Sequence, residues 1–274
     1  MKVVLFCGGL GLRIRDADDV PKPMVHIGYR PILWHVMKYY AHFGHKEFIL
    51  CLGYRGDVIK NYFLDYNECT SNDFVLSGGG KKLELLNSDI DDWRITFVDT
   101  GIHSNIGQRL KAVEKYLEGE DEFLANYSDG LTDLCLPEQL EHFHHSGKIA
   151  SFLCVRPNLS YHLVSLVEGR SGLVSDIHAI DNGLVRINGG FFILKQQIFD
   201  YIHGKEELVI EPFHRLMKEK QLVGYLYDGF WASMDTFKDK QRLEELNQGA
   251  APWKVWEHVH ASKSSTPELM LAEA

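Results

Sequence analysis

Basic runs, paired cysteines and long apolar stretches are all missing from this sequence. Lys and Arg number 29 against 38 Asp and Glu, which gives a formal net charge of −9. A nucleic-acid partner, which would need basic patches, is therefore not expected. No apolar stretch approaches the roughly 18–20 residues of a membrane span, and the apolar run 3–6 is too short for a signal peptide, so no membrane partner is expected either.

The cysteines and the chain length narrow the class of protein. The chain has five cysteines, and no two are spaced as Cys-x-x-Cys. This pattern predicts neither a disulfide framework nor a structural zinc site and favours the cytoplasm. The 274 residues can bury a sizeable core. We expect a single domain over 1–248 and a partly disordered tail over 249–274, in which the apolar stretch around Trp253 and Trp256 could pack on a neighbouring subunit.

Short apolar runs alternate with helical patterns along the first half of the chain. Residues 3–6 are β-branched and apolar, stop at two glycines, and predict a buried parallel strand. A helix over 31–43 capped by Gly44, a strand over 47–52 and a helix over 57–66 follow. This order predicts an α/β fold with a mostly parallel, doubly wound, Rossmann-like sheet flanked by helices.

The remaining runs predict the other elements. Residues 73–87 predict a surface hairpin around three glycines, and 149–192 predict a small β-rich elaboration in the second half of the chain. Further strands are expected over 93–98, 122–127 and 222–227. Further helices are expected over 110–117, 137–145 and 238–246.

A glycine-rich loop follows the first strand and reads Gly8-Gly9-Leu10-Gly11-Leu12-Arg13. Glycines let the backbone approach a ligand closely, and the arginine adds a rigid fork for phosphate. The spacing is neither G-x-G-x-x-G nor G-x-x-x-x-G-K-[ST], so ordinary dinucleotide and P-loop sites are not predicted. The loop favours a nucleotide or nucleotide-sugar ligand, with a plain turn as the alternative. Lys22, between two prolines, is either a phosphate ligand or a surface lysine in a bend.

These motifs resemble a known family. G-G-L-G-x-R and P-K-P-M together resemble the sugar-nucleotide pyrophosphorylases, the nucleotidyltransferases that join a nucleoside triphosphate to a sugar 1-phosphate. The resemblance covers roughly residues 1–257, and its segments look like the glucose-1-phosphate cytidylyltransferase branch. Those segments are 27–35, 53–56, 98–101, 188–192, 229–231, 234–236 and 251–254.

The resemblance implies a reaction and a set of site residues. A sugar 1-phosphate attacks the α-phosphorus of the nucleotide, with CTP favoured, and pyrophosphate leaves. The implied cofactor is Mg²⁺, with Mn²⁺ possible, held by Asp129 and Asp235, each of which could alone be a turn or cap residue. Arg13 and Lys22 are the implied catalytic cations. The implied nucleotide-binding residues are Gly8, Gly9, Gly11, Arg13, Thr100, Arg109 and Ser128. The implied sugar-binding residues are Tyr161, His178, Arg186, Asn188 and Gly189. The family also implies a homo-oligomer.

The chain departs from the family pattern on the sugar side. Leu12 replaces the usual Thr of the loop, and Ile106-Gly107-Gln108 replaces Thr-Gly-Gly, which leaves the choice of base open. The family's Glu-Lys-Pro motif is absent, and no lysine lies between residues 170 and 195. Arg186 or His178 could substitute for that phosphate-binding lysine.

Three hypotheses therefore stay open. The first is a nucleotidyltransferase in which another cation compensates for the missing lysine. The second is an isomerase or ring-size mutase, of the pyranose–furanose type, that acts on a finished nucleotide-sugar and needs no such lysine. The third is a nucleotide-sugar sensor, which we rank last because both metal carboxylates, Arg13 and Lys22 are retained.

Overall fold

A central sheet of eight strands carries the fold. The computed structural model describes residues 1–9, 20–157, 162–169, 172–179 and 185–258. The strands are β1 (Val3–Phe6), β2 (His26–Ile27), β3 (Arg30–Pro31), β4 (Glu47–Leu52), β5 (Phe74–Ser77), β6 (Lys82–Leu85), β7 (Arg94–Asp99), β8 (Glu122–Tyr127), β9 (Gly130–Thr132), β10 (Ala150–Val155), β11 (His162–Leu166), β12 (Val174–Ala179), β13 (Ile187–Asn188), β14 (Phe192–Lys195), β15 (Leu222–Tyr227) and β16 (Trp231–Ser233). The helices are α1 (Ile32–His42), α2 (Gly56–Leu64), α3 (Ile106–Val113), α4 (Leu136–Ser146), α5 (Glu211–Lys218), α6 (Phe237–Asn247) and α7 (Val255–His258).

The strand order confirms the predicted sheet. It runs β13-β10-β14-β8-β1-β4-β7, and β15 pairs with β10. β8, β1, β4 and β7 are parallel neighbours, and β10 is parallel to β15. β14 runs antiparallel between β8 and β10, and β13 continues antiparallel along β10. The sheet is therefore mostly parallel, as the α/β pattern predicts.

The first strand shows why the sheet is covered on both faces. Its four residues are each at most 5% exposed. Successive side chains of a strand point to opposite faces, so Val3 and Leu5 join the core under α1 and α4, whereas Val4 and Phe6 join the core under α3 and α5. A run of apolar residues without alternation is thus the expected sequence of a doubly wound strand.

Helix α3 lies four residues earlier than predicted. Asn105 and Gln108 form a reciprocal capping box: the Asn105 side chain accepts from the Gln108 backbone N–H at 2.9 Å, and the Gln108 side chain accepts from the Asn105 N–H at 3.2 Å. This cap starts the helix at Ile106. After Val113 the chain continues as a 3-10 helix over Glu114–Tyr116. The predicted helix over 110–117 is therefore wrong in its bounds.

The last described residues belong to the core of the chain. Trp253 is 1% exposed, and its indole N–H donates to His35 Nδ1 at 3.3 Å. Trp256 packs edge-on against Trp34 of α1. The expected domain boundary at residue 248 therefore falls inside a packed region. The Trp253 side chain packs within its own chain, and a subunit contact through the surrounding stretch stays a prediction.

Two further features lie outside the main sheet. β5 and β6 pair as the predicted hairpin around Gly78, Gly79 and Gly80, and β11 and β12 form a second two-stranded sheet. Among the described helices, none has the length and apolar character that crossing a membrane requires.

Candidate functional site

The candidate site lies where the order of the strands reverses. After β1 the chain moves outward to β4 and β7, and β8 then pairs on the other side of β1. Gly8 and Gly9 follow the carboxyl end of β1, while Ser128 and Asp129 follow the carboxyl end of its parallel neighbour β8. Ligands of open α/β sheets bind in the crevice at such a switch point. Gly8 and Gly9 of the predicted loop and the first predicted metal carboxylate therefore lie at one edge of the sheet.

Lys22 bridges the two predicted metal carboxylates. Its ammonium Nζ lies 2.5 Å from Asp129 Oδ2 and 2.7 Å from Asp235 Oδ1. The structure thus brings together three residues that are more than 100 positions apart along the chain. Asp235 lies near Asp129 because β16, which precedes Asp235, pairs with β9, which directly follows Asp129. The Met234 N–H also donates to the Asp129 carbonyl at 3.0 Å.

The lysine is held rigidly at this position. Lys22 opens a one-turn 3-10 helix that ends at Met24, and the prolines on both sides of it restrict the backbone. Pro23 and Met24 are buried. Burial of the ammonium would lower the pKa of Lys22, but Asp129 and Asp235 outweigh it and raise this pKa above its ordinary value. The lysine is therefore a permanently charged partner of both carboxylates.

The same carboxylates fit a hard divalent cation. Two carboxylates at the mouth of a phosphate crevice are a typical protein contribution to a Mg²⁺ site, because this ion keeps waters and takes its remaining ligands from phosphates. In the described ranges of the chain, no group of three or more His, Cys, Asp or Glu side chains could hold a metal without such help. Asp129 and Asp235 would hold the ion, and Lys22 would have to release them.

A buried arginine supports the glycine loop from below. Arg109 of α3 is 1% exposed, and its Nη1 donates to the Leu52 carbonyl at 3.0 Å and to Thr100 Oγ1 at 2.7 Å. A Cβ placed on Gly8 would lie 2.0 Å from this nitrogen, so the guanidinium packs directly against the Gly8 backbone. Burial lowers the pKa of Arg109 from its ordinary value. The side chain contributes a positive charge beneath the loop rather than an exposed hydrogen-bond donor.

Two predicted nucleotide-binding hydroxyls join strand ends. Ser128 Oγ donates to the Phe6 carbonyl at 2.9 Å and is 5% exposed at the residue level, which ties β8 to β1. Thr100 Oγ1 donates to the Leu52 carbonyl at 2.7 Å and accepts from Arg109. Both hydroxyls use their protons on the backbone. They shape the crevice, and direct contact with a nucleotide stays a prediction.

Comparison with known proteins decides the family. A glucose-1-phosphate cytidylyltransferase from Salmonella typhi is 38% identical over 260 residues, which span 94% of this chain and 100% of that protein. The chain belongs to the sugar-phosphate nucleotidyltransferase family. It is therefore an enzyme of that family, and the resemblance seen in the sequence is confirmed. No family model matches the chain.

Solved structures share the nucleotidyltransferase fold. A UDP-glucose pyrophosphorylase complexed with UDP-glucose superposes with a TM-score of 0.63 at 15% identity, covering 90% of this chain and 98% of the other. HddC from Yersinia pseudotuberculosis, complexed with GMP-PN, superposes with a TM-score of 0.58 at 19% identity, covering 89% and 98%. At these identities the likeness concerns the fold.

The predicted sugar-binding residues of this nucleotidyltransferase lie at different places. Asn188 lies beside the nucleotide crevice: its Nδ2 donates to Tyr127 Oη at 3.3 Å, and its Oδ1 accepts from the Gly190 N–H at 2.9 Å. The Gly189 carbonyl accepts from the Trp231 indole N–H at 2.9 Å. Half-buried Asn188 and buried Gly189 thus lie next to the carboxyl end of β8.

The other predicted sugar-binding residues that the structure describes, Arg186 and His178, make contacts away from the carboxyl end of β8. Arg186 donates to the carbonyls of Cys154 and Tyr227 and pairs with Asp228 at 2.8 Å, so it ties the ends of β10 and β15 together. His178 lies on β12 and contacts Asp176 of the same strand at 3.0 Å. Three predicted site residues, Gly11, Arg13 and Tyr161, lie outside the described residues, as does Leu12.

The sequence motifs did not indicate one feature of this edge, a cavity lined by two arginines. A cavity of about 250 Å³ opens beside Trp231, and Arg156 and Arg242 line it together with Asp228. No motif marks these arginines, since one follows β10 and the other lies within α6. Only the register of the sheet could have indicated Arg156, as its place relative to Asp129 depends on the pairing of three strands.

Proposed function

We propose that this chain transfers the nucleotidyl group of a nucleoside triphosphate, CTP in the first instance, to a sugar 1-phosphate and releases pyrophosphate. The observation that carries the proposal is the bridge from Lys22 to Asp129 and Asp235 at the switch point of the sheet. The likeness to the glucose-1-phosphate cytidylyltransferase from Salmonella typhi supports CTP as the nucleotide and glucose 1-phosphate as the acceptor. Mg²⁺ is the proposed ion, and Mn²⁺ would substitute.

The proposed chemistry needs no general base. The sugar phosphate already carries a negative oxygen that can attack the α-phosphorus, so catalysis is positioning and charge neutralisation. Lys22, fixed between its prolines, would neutralise the α-phosphate, and Arg109 would add positive charge beneath the Gly8 backbone. When bound to Asp129 and Asp235, the divalent ion supplies Lewis-acid stabilisation of the phosphate charge. Gly9, Gly11 and Arg13 complete the proposed phosphate loop.

The proposed acceptor side runs outward from this cluster. Asn188 and Gly189 would contact the sugar, since they lie between the crevice and Trp231. Arg186, Tyr161 and His178 stay proposed sugar-side residues. Because Arg186 already has three partners at the strand ends, it would stabilise the ends of β10 and β15 rather than bind the sugar directly.

A pyrophosphate-release assay tests the function. The chain is incubated with Mg²⁺, each of the common nucleoside triphosphates and a panel of sugar 1-phosphates. We expect release with CTP, and loss of about 100-fold or more in kcat for Asp129→Asn and Asp235→Asn. Asp57→Asn, which changes an exposed carboxylate of α2, is the matched control. No release with any pair of substrates would refute the transferase.

The assay also separates the alternatives. A chain that releases no pyrophosphate but changes the ring form of an added nucleotide-sugar would be the isomerase or mutase. A chain that binds nucleotide-sugars and changes none of them would be the sensor. A mass from light scattering tests the expected homo-oligomer, and the cytoplasmic location, which rests on the cysteine pattern, is tested by fractionating cells of the source.

A further inference from the structure

The cavity beside Trp231 has an excess of positive charge. Arg156, Arg242 and Asp228 line it, and Arg186 reaches the same carboxylate from the adjoining strand end. Among the described residues, the guanidinium groups of Arg156 and Arg186 contact this one carboxylate, and Arg242 lines the same cavity, in a chain whose net charge is −9. The hydrogen bond from Arg156 and the positive charges of Arg156 and Arg186 lower the pKa of Asp228, so this carboxylate stays ionised. Among the described residues that line the cavity, Arg156 and Arg242 outnumber this one carboxylate. Such an excess is suited to an anionic ligand.

The sheet register places this cavity relative to the metal carboxylates. Ser151 of β10 and Leu124 of β8 both pair with Ile193 of the strand between them. Because β8 and β10 are parallel, Asp129 after β8 and Arg156 after β10 follow strand ends at the same edge of the sheet. Two spacings between strands separate β8 from β10, which is about 10 Å. The cavity is therefore at the same edge of the sheet as the crevice at the switch point, but two strands away from β8.

The surface between the two places fits a sugar. Asn188 and Gly189 lie between the ends of β8 and β10, and Trp231, whose indole N–H donates to the Gly189 carbonyl, lines the cavity. The cavity volume of about 250 Å³ is below the range of about 300–1,000 Å³ typical for drug-sized ligands, so it suits one substituent of a sugar. A sugar whose anomeric phosphate lies near Lys22 would direct its far end toward Arg156 and Arg242.

We propose that this nucleotidyltransferase acts on an acidic sugar, and that Arg156 and Arg242 bind a carboxylate or phosphate carried at the end of the sugar away from the anomeric carbon. The inference rests on the proposed function, because it takes the acceptor to be a sugar 1-phosphate. Planar guanidinium groups bind both kinds of anion through paired hydrogen bonds. Asp228 and the two backbone carbonyls hold Arg186 as the support of this subsite.

Substrate comparison tests the proposal. Rates are measured with glucose 1-phosphate, glucuronic acid 1-phosphate and glucose 1,6-bisphosphate, so the last two arms distinguish a carboxylate from a phosphate. We expect kcat/KM to be at least 10-fold higher with one of the two acidic sugars. Arg242→Gln and Arg156→Gln should remove this preference, with a loss of about 10- to 100-fold for the acidic sugar and little change for glucose 1-phosphate. Arg94→Gln, at an exposed site on β7, is the control.

Two outcomes would overturn the proposal. An equal loss with all three substrates would mean that the arginines bind the reacting phosphate, and no loss would mean that they bind no part of the acceptor. Arg242 lies on the surface of α6, so Arg242→Gln keeps the test valid even if Arg156→Gln disturbs the strand ends through Asp228.

Calorimetric binding of the same sugar phosphates separates this proposal from the proposed function. Arginine-dependent binding of an acidic sugar without any turnover would sustain the cavity and refute the transferase. Turnover of all three sugar phosphates, with no dependence on the arginines for either acidic sugar, would sustain the transferase and refute the cavity.

Discussion

Replacing Lys22 by Met should tighten the binding of a divalent ion in the absence of nucleotide. In the structure the ammonium takes both carboxylates, at 2.5 and 2.7 Å, that the ion would need. An ion therefore competes with the lysine unless a nucleotide phosphate offers the lysine another partner. Lys22→Met removes the ammonium that competes with the ion and leaves the carboxylates of Asp129 and Asp235 without this cation.

The size of the effect follows from the two hydrogen bonds. A charge-assisted hydrogen bond contributes about 1.5–3 kcal/mol, and partial exposure of the three side chains, at 19%, 22% and 46%, reduces each toward about 1 kcal/mol. An ion that displaces the lysine forfeits both bonds, or about 2 kcal/mol. Lys22→Met should therefore bind Mn²⁺ about 10- to 30-fold more tightly than the unaltered chain.

Titration with Mn²⁺, followed by the electron paramagnetic resonance of the free ion, measures this affinity without any turnover. Lys22→Arg keeps the charge and should show nearly unaltered Mn²⁺ affinity. Lys38→Met, which removes an ion pair with Asp89 elsewhere in the fold, is the matched control. Both Lys22 variants should lose transferase activity. Unchanged or weaker Mn²⁺ binding by Lys22→Met would refute the competition.

Two further predictions concern the support of the site. Gly8→Ala should cost about 1–3 kcal/mol in urea unfolding and weaken nucleotide binding, because the new Cβ would meet the Arg109 guanidinium, whereas Gly9→Ala meets open space and should change little. Equal effects of the two substitutions would contradict this packing. Burial lowers the pKa of His35 to about 4 from 6.5, so stability should fall by about 3 kcal/mol as the pH falls from 6.5 to 4, since only the unfolded chain takes up the proton there. His35→Asn should flatten this part of a pH series of unfolding free energies, and an unaltered slope would assign it to other groups.

The buried strands were the most predictable part of the fold. Those over 3–6, 47–52 and 122–127 have the bounds that were predicted, because a strand covered on both faces is a mostly apolar run bounded by polar or glycine residues. The half-buried strand over 222–227 also has its predicted bounds. The start of helix α3 was less predictable, because it depends on a capping box of two polar residues, Asn105 and Gln108. The spacing of the apolar residues does not mark this start. The packed stretch around Trp253 was missed because its partner, His35, lies 218 positions away.

The two halves of the site differ in how far the sequence could predict them. Lys22, Asp129 and Asp235 carry local motifs, and the structure brings them within hydrogen-bond distance. The sugar side depends on side chains without motifs, whose positions follow only from strand register. Arg186 shows the limit: its charge made it a candidate phosphate ligand, but its three partners at the ends of β10 and β15 could not be read from the sequence.

Binding energy at the arginine cavity, remote from the reacting phosphate, would compensate for the missing lysine. The family's lysine neutralises the reacting phosphate directly, whereas Arg156 follows a strand that lies two strand spacings, or about 10 Å, from the strand that Asp129 follows. An anion bound there cannot stabilise the reacting centre, but its binding energy can hold the sugar phosphate in line with the α-phosphorus. If so, a neutral sugar should be deficient in kcat as well as in KM, since it loses orientation and not merely affinity. A difference confined to KM would mean that the cavity adds only uniform binding, and the loss of the lysine would then need another compensation.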